Sequence, residues 1–432
     1  MNASPPTGLL ANLRTPLLQN AFYLTLNDGI GAIFGLAFWI LAARILPTQE
    51  VGLGIAMIGI GILLSTVASL GFTVALVRFV PGAGTRTGAF VGTGLSLTLG
   101  TSIAVSGVFL VGAPYWTPGL AGALATPWQG LLFLGFVTGW TGFVVLDAAF
   151  VGVGAAKRVL QRGVFANGLR LALLAAVGVS VGTALAIPAV YGVALWAGIL
   201  LGVGIALRTR AFGTIRWRVD RTVARDMARY AMGNHAVTLL GATVGLLLPT
   251  IVLHELGPDD AAYFYIAWQI SNMLNLLPAA IQTSVLAESS RREEKTREHT
   301  RTGLLWTYAL LLPATAATFG LASVLLAIFQ EGYTAATPLL QVLLLNGLVQ
   351  AFNGAYSTRL RVERRLAPLI ALTAGFAAVA LGGAYALMPS LGLAGAGLSI
   401  LAAQIGYAAF AAFGMWDYRH RPRGPVPEGS HP

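Results

Sequence analysis

The sequence predicts an all-α protein of about twelve membrane-spanning helices, built as two six-helix halves. Three observations predict it: apolar runs of spanning length, basic residues gathered on one side of those runs, and motifs that recur in order in the second half. Of 432 residues, 56% are hydrophobic and 10% charged, where a soluble domain carries about 25% charged residues. A soluble fold of this size cannot hide so much apolar surface.

The apolar runs lie at roughly 20–43, 51–76, 87–112, 128–152, 164–183, 187–207, 231–253, 261–287, 303–328, 335–358, 366–388 and 391–416. Each is long enough for a ~30 Å hydrocarbon core at ~1.5 Å per residue. The 53 glycines would weaken soluble helices but let membrane helices approach closely. Small-xxx-small pairs occur at Gly31/Gly35, Gly88/Gly92, Gly135/Gly139, Gly198/Gly202 and Gly241/Gly245. They point to close packing without naming a dimer, so a monomer is expected. Cysteine is absent, which excludes disulfides and thiolate metal sites. The first run has full spanning length and does not read as a cleavable signal.

The basic residues set the orientation. With the N-terminus inside, 25 of the 27 fall in cytoplasmic segments, Arg170 lies within a span, and the outside loops hold Arg44 alone. That split follows the positive-inside rule and places both termini in the cytoplasm of a cell inner (plasma) membrane protein. It also turns the formal charge of +11 into a topological feature and excludes a nucleic-acid partner. Residues 1–19 read as a loose cytoplasmic tail and 418–432 as a disordered one, where Arg-Pro-Arg-Gly-Pro-Val-Pro cannot hold a helix. Between the halves, 208–230 carries seven arginines and an apolar stripe of Trp217, Val219, Val223, Met227 and Tyr230. It reads as an interfacial linker helix or as a solvated basic loop.

The halves 20–207 and 231–417 echo one another. Arg44-Ile-Leu-Pro-Thr-Gln-Glu-Val-Gly52 answers to His254-Glu-Leu-Gly-Pro-Asp-Asp-Ala-Ala262 at an offset of 210. Thr85-Arg-Thr-Gly88 recurs as Thr300-Arg-Thr-Gly303, and the basic end of 148–158 recurs over 355–365. Both halves begin on the cytoplasmic side, so the repeat is parallel, and such repeats put a binding cavity between two bundles.

Residues Asn20-Ala-Phe-Tyr-Leu, Gly35-Leu-Ala-Phe-Trp-Ile-Leu-Ala-Ala-Arg-Ile-Leu-Pro47, Glu50-Val-Gly-Leu-Gly and Leu76-Val-Arg-Phe-Val-Pro81 resemble the opening of the polysaccharide (O-antigen, Wzx-like) flippases. These belong to the multidrug/oligosaccharidyl-lipid/polysaccharide (MOP) exporter superfamily. The resemblance implies a MATE-like fold of two lobes around a central cavity. It implies alternating-access movement of a polyprenyl-pyrophosphate-linked oligosaccharide from the cytoplasmic to the outer leaflet, with a proton or sodium gradient as the drive. Membrane lipids and polysaccharide polymerase or ligase machinery would be its partners. A multidrug or small-molecule cation antiporter of the same superfamily is the alternative.

Intramembrane charges are costly and mark functional candidates. Asp28 sits in the first span and can bind a coupling ion. Asp147 and Arg170, 23 residues apart on consecutive antiparallel spans, read as an ion pair, or as a cavity arginine that meets pyrophosphate. Arg78 and Arg86 flank the inner mouth, where they either capture a headgroup phosphate or simply anchor the topology. Asn346, Gln350 and Asn353 share a face of the tenth span, with Asn272 and Asn275 in the eighth. These amides suit sugar hydroxyls or interhelical hydrogen bonds. His235 opens the seventh span and is either a titrating group or a packing residue. Pro249, Pro278 and Pro313 lie inside spans. No P-loop, His-Glu-x-x-His or Gly-x-Ser-x-Gly motif occurs, and no outside loop is long enough for a catalytic domain. A transporter without enzymatic activity, metal or cofactor is therefore expected.

Overall fold

The computed structural model describes residues 16–420 apart from 216, 292–295 and 364. Twelve long helices follow one another, and no strand occurs among the described residues. They are α1 (Pro16–Ile45), α2 (Thr48–Ala68), α3 (Thr87–Trp116), α4 (Pro127–Gly152), α5 (Ala156–Val181) and α6 (Ala186–Thr209), then α7 (Arg221–Glu255), α8 (Pro258–Arg291), α9 (Thr296–Gly320), α10 (Thr337–Val362), α11 (Leu366–Leu391) and α12 (Leu393–His420). Ten are long and apolar enough to cross a membrane. The other two, α5 and α8, have the length and more polar residues: Lys157, Arg158, Arg162 and Arg170 in α5; Asp259, Asp260, Asn272 and Asn275 in α8. The protein is an all-α polytopic membrane protein.

Local chemistry sets the boundaries. Leu46 and Pro47 end α1 and start α2 within two residues. The second apolar run is not one helix: Leu70 and Gly71 both take left-handed backbone, which stops α2 before a short helix at Phe72–Phe79. Thr126 and Gln129 form a reciprocal capping box at the start of α4, with Pro127 in its first turn. The ninth run also breaks, at Leu321, before a short helix at Ala322–Ala327. Pro249, Pro278 and Pro313 sit inside continuous helices.

The segment 208–230 is not a separate linker helix. Arg210 caps α6 in the left-handed region, and the chain turns until Asp220 accepts hydrogen bonds from the Thr222 and Val223 amides at 2.9 and 3.2 Å. A strong cap starts α7 there, and nothing interrupts it before Glu255. Val223 and Met227 are buried, whereas Trp217, Val219 and Tyr230 are exposed, so the five residues do not form one stripe. The turn is fastened by Thr93, whose Oγ1 accepts from the Asp220 amide at 3.1 Å. At the C-terminus α12 runs on to His420. The remaining tail, like residues 1–15, lies outside the described residues.

Packing repeats with the chain. In the first half α1 lies on α5, α4 on α6, α5 on α6, α2 on α4 and α3 on α4. Each pairing recurs six helices later: α7 on α11, α10 on α12, α11 on α12, α8 on α10 and α9 on α10. Between the halves α2 packs along both α7 and α8, while α1 barely reaches α8.

The α2 surface at this seam is small. A Cβ on Gly52 would overlap the Pro258 carbonyl, and one on Gly59 would lie 2.7 Å from the Leu246 carbonyl oxygen. Backbones touch here, and no flexible side chain can yield. Gly52→Ala is therefore expected to destabilise the protein by about 1–3 kcal/mol through overpacking, lowering its unfolding temperature in detergent. Gly100→Ala, which has open space around it, should leave that temperature unchanged.

Candidate substrate cavity and intramembrane charges

A cavity of about 320 Å³ opens among α7, α8, α10, α11 and α12, at the lower end of the ligand-pocket range of about 300–1,000 Å³. Its wall carries five amide side chains, Asn275, Gln282, Gln350, Asn353 and Gln404. Thr373, Ser357, Tyr407 and Arg361 complete its polar surface, and no described acid lines it. Glycine makes the room. A Cβ on Gly354 would strike the Gln282 amide, and one on Gly347 would lie 3.1 Å from Asn275 Oδ1.

The amides are braced by one another. Asn275 Nδ2 donates to Gln350 Oε1 at 3.4 Å and to Asn272 Oδ1 at 3.5 Å. Gln282 donates to the Ala351 carbonyl at 3.2 Å, and Asn353 to the Gln404 carbonyl at 2.9 Å. Ser357 donates to the Asn353 carbonyl, so the 2.8 Å contact with Tyr407 is donated by the tyrosine. The wall thus offers amide acceptors and donors together, fixed on helices.

Of the amides named from sequence, Asn275, Gln350 and Asn353 reach the cavity. Asn272 supports Asn275 from behind. Asn346 is buried elsewhere with its Oδ1 unpartnered. Gln404, Ser357, Tyr407 and Arg361 were not singled out from sequence. Helical register is the signal for Ser357 and Arg361, which follow Asn353 every four residues on α10.

In the first half the charges are arranged differently from the sequence expectation. Asp147 pairs with Arg162, not with Arg170. Arg162 is fully buried. Its Nε donates to the Gly198 carbonyl at 3.0 Å, and its guanidinium lies 4.3 Å from the Phe143 ring centroid and 5.7 Å from that of Phe150. A Cβ on Gly202 would lie 2.5 Å from its Nε, so Gly202 makes the room that admits it, while Gly198 makes room for the Phe143 ring. The physical reason is the turn. α5 begins at Ala156, well before the expected start, because Gly154 turns the chain in left-handed backbone. Residues equidistant from that turn meet, and those are Asp147 and Arg162.

Arg170 lies deeper, against Gly35 of α1. Aromatic faces surround it: Tyr191 with its centroid 4.6 Å away and Phe38 at 5.5 Å. Trp140 stacks on Tyr191. The Arg170 Nε has no hydrogen-bond partner. Cation–π attraction is thus its main visible support.

Asp28 is not enclosed. Its side chain is exposed and accepts from Asn27 at 3.3 Å. Arg78 and Arg86 are exposed beside the turns at 80–86, with Arg86 over Phe90 at 5.8 Å. Neither lines the cavity. His235 packs at the Gly71 turn, where a Cβ would lie 3.0 Å from its own.

Arg162→Met should strand Asp147 and cost about 3–5 kcal/mol, read as a large fall in unfolding temperature. The double variant Asp147→Asn/Arg162→Met should recover much of it, and Arg170→Met should cost clearly less than Arg162→Met alone. A larger loss for Arg170→Met would show the pairing to be wrong.

No protein-family model and no curated protein matches the sequence. Solved structures do. An inward-facing multidrug resistance MATE family transporter of the MOP superfamily aligns with a TM-score of 0.68 at 17% identity, over 93% of this chain and 98% of that one. The lipid II flippase MurJ, in an inward closed conformation, aligns at 0.72 and 12% identity, over 91% and 87%. A MOP superfamily transporter from Pyrococcus furiosus, described as having a binding pocket of reverse polarity that suggests a different function, aligns at 0.62 and 16%, over 96% and 99%. The chain has the fold of the MOP superfamily exporters.

Proposed function

We propose that this protein is an alternating-access flippase that carries a polyprenyl-pyrophosphate-linked oligosaccharide from the cytoplasmic to the outer leaflet. Helices α1–α6 and α7–α12 form the two lobes. The observation that carries the reading is the cavity of the second half, walled by Asn275, Gln282, Gln350, Asn353 and Gln404 with no described acid. Amides that both donate and accept match sugar hydroxyls, which do the same. A drug-like cation would gain little there, because no carboxylate meets its charge. That is the argument against the multidrug-antiporter alternative. MurJ, whose solved structure is named a lipid II flippase, shares this fold, which supports a flippase reading.

The remaining assignments complete the scheme. The arginine-rich end faces the cytoplasm, with Arg78 and Arg86 at the headgroup level for the pyrophosphate. Among the described residues, Arg170 is the guanidinium at depth without a carboxylate partner, which keeps its charge available to a phosphate. Asp28 is the candidate for the coupling proton or sodium ion, exposed on α1 beside Asn27.

The test is leaflet movement of a fluorescent polyprenyl-pyrophosphate oligosaccharide in proteoliposomes. Wild type should move it. Gln350→Leu and Asn275→Leu should each slow movement about tenfold or more, because a lost polar contact to a hydroxyl leaves its partner unpaired. Asp28→Asn should remove the gradient dependence while the protein still folds. Failure of well-folded wild type across a panel of glycan lipids, together with gradient-driven dye export, would replace this reading with the antiporter.

A further inference from the structure

The arginine-poor end of the molecule carries polar contacts between the halves that the transport reading does not use. Arg44, in the last turn of α1, donates from both Nε and Nη2 to the Ile328 carbonyl, at 3.0 and 2.8 Å. Ile328 caps the short helix Ala322–Ala327, so its carbonyl stands at the negative end of a helix, where a cation is favoured. Gln49, in the first turn of α2, donates to Asp259 Oδ2 at 3.4 Å in the first turn of α8.

The internal repeat gives these contacts a meaning. Gln49 and Asp259 are separated by 210 residues, the offset that aligns 44–52 with 254–262. They occupy equivalent places in the two halves, and a contact between equivalent places lies on the axis that relates them. The same offset equates Arg44 with His254. His254 does not reach across: it is largely exposed, 3.8 Å from neighbouring Glu255. The clasp is therefore made on one side of the axis only.

Directly beneath lies the glycine seam. Gly52, Ala56 and Gly59 share a face of α2, with Gly52 and Gly59 meeting the Pro258 and Leu246 carbonyls. Below them the halves are held by apolar packing, with the Trp39 and Tyr265 rings edge-on at 5.0 Å, so the polar contacts stand at the end of the seam and are the first to part when the halves separate there.

We propose that Arg44 with the Ile328 carbonyl, and Gln49 with Asp259, form a latch that holds this end shut, and that its release is the first step in exposing the cavity to the other side. It would explain the single basic residue in the loops assigned to the outside: Arg44 is there for its fork of donors. The proposal rests on the orientation and the two-lobe reading given under Proposed function.

The absence of native cysteine permits a direct test with the full-length protein in cells. Ala56→Cys places a thiol in the seam, and a membrane-impermeant maleimide added outside reports its exposure. In the otherwise wild-type chain labelling should be slow. Arg44→Ala should speed it at least fivefold, and Arg44→Lys, which keeps the charge but not the fork, should give an intermediate rate. In a second arm, Gln49→Cys/Asp259→Cys should form a disulfide on oxidation that abolishes labelling of the Ala56→Cys thiol, with reductant restoring it. This arm decides the matter should Arg44→Ala fail to fold. An unchanged labelling rate in a folded Arg44→Ala, or labelling that persists across the formed disulfide, overturns the latch. Acceleration seen only in inverted vesicles would support the latch and overturn the assigned orientation instead.

Discussion

A polar side chain buried among apolar helices must find its partner inside the protein, because no water is there to take its place, and in this chain the space for that partner is made by glycine. Gly202 yields to the Arg162 guanidinium, Gly163 to Asn27, Gly347 to Asn275 and Gly354 to Gln282. Each is a place where a methyl group would press on a polar head. The glycine content that looks like a general device for close packing is, at these four positions, what lets the polar groups exist. The same rule operates without a polar head at the seam, where Gly52 and Gly59 bring α2 against the α7 and α8 backbones.

The packing pattern is repeated between the halves, and the chemistry is not. The first half encloses an acid–base pair and a guanidinium among aromatic rings. The second half has amides, a serine, a threonine and a tyrosine around a cavity, with one arginine. A duplicated scaffold fixes where helices meet, since that depends on small residues and apolar volume. It leaves free which polar residues face the interior. On our reading the second half reads hydroxyls and the first half carries charge, a division of labour that a symmetrical pair of lobes could not offer.

Helix existence was legible in the sequence because spanning length is a strong signal. The six-plus-six echo was visible in short motifs that the packing order repeats. Helix breaks inside apolar runs were not legible. Leu70 takes left-handed backbone although leucine is no breaker, so hydrophobicity carried the second run straight through it. The Asp147 partner was missed for a related reason. Lys157, Arg158 and Arg162 look like loop residues, so α5 was expected to begin near 164 and the turn midpoint to lie about four residues too late. That shift aligns Asp147 with Arg170. With the turn at Gly154, Arg162 enters the helix and takes the acid. The cluster that looked like a topological anchor thus contains the most deeply buried charge of the first half.

That reassignment changes what each charge can do. Arg162 is enclosed by Asp147, the Gly198 carbonyl and two phenyl rings, and breaking such a site to bind a substrate would expose a carboxylate to a low-dielectric interior. It is a structural cation. Arg170 differs in kind: π faces stabilise a guanidinium without neutralising it, so its net charge still projects into its surroundings. A cation held by rings can attract a phosphate without first giving up a carboxylate, and this gives Arg170 the stronger claim to a transport role. Asp28 stands at the opposite extreme, exposed and held by one amide, so a coupling ion bound there, as we propose, would exchange without any rearrangement of the core. Exchange is what a coupling site requires, and burial like that of Arg162 would deny it.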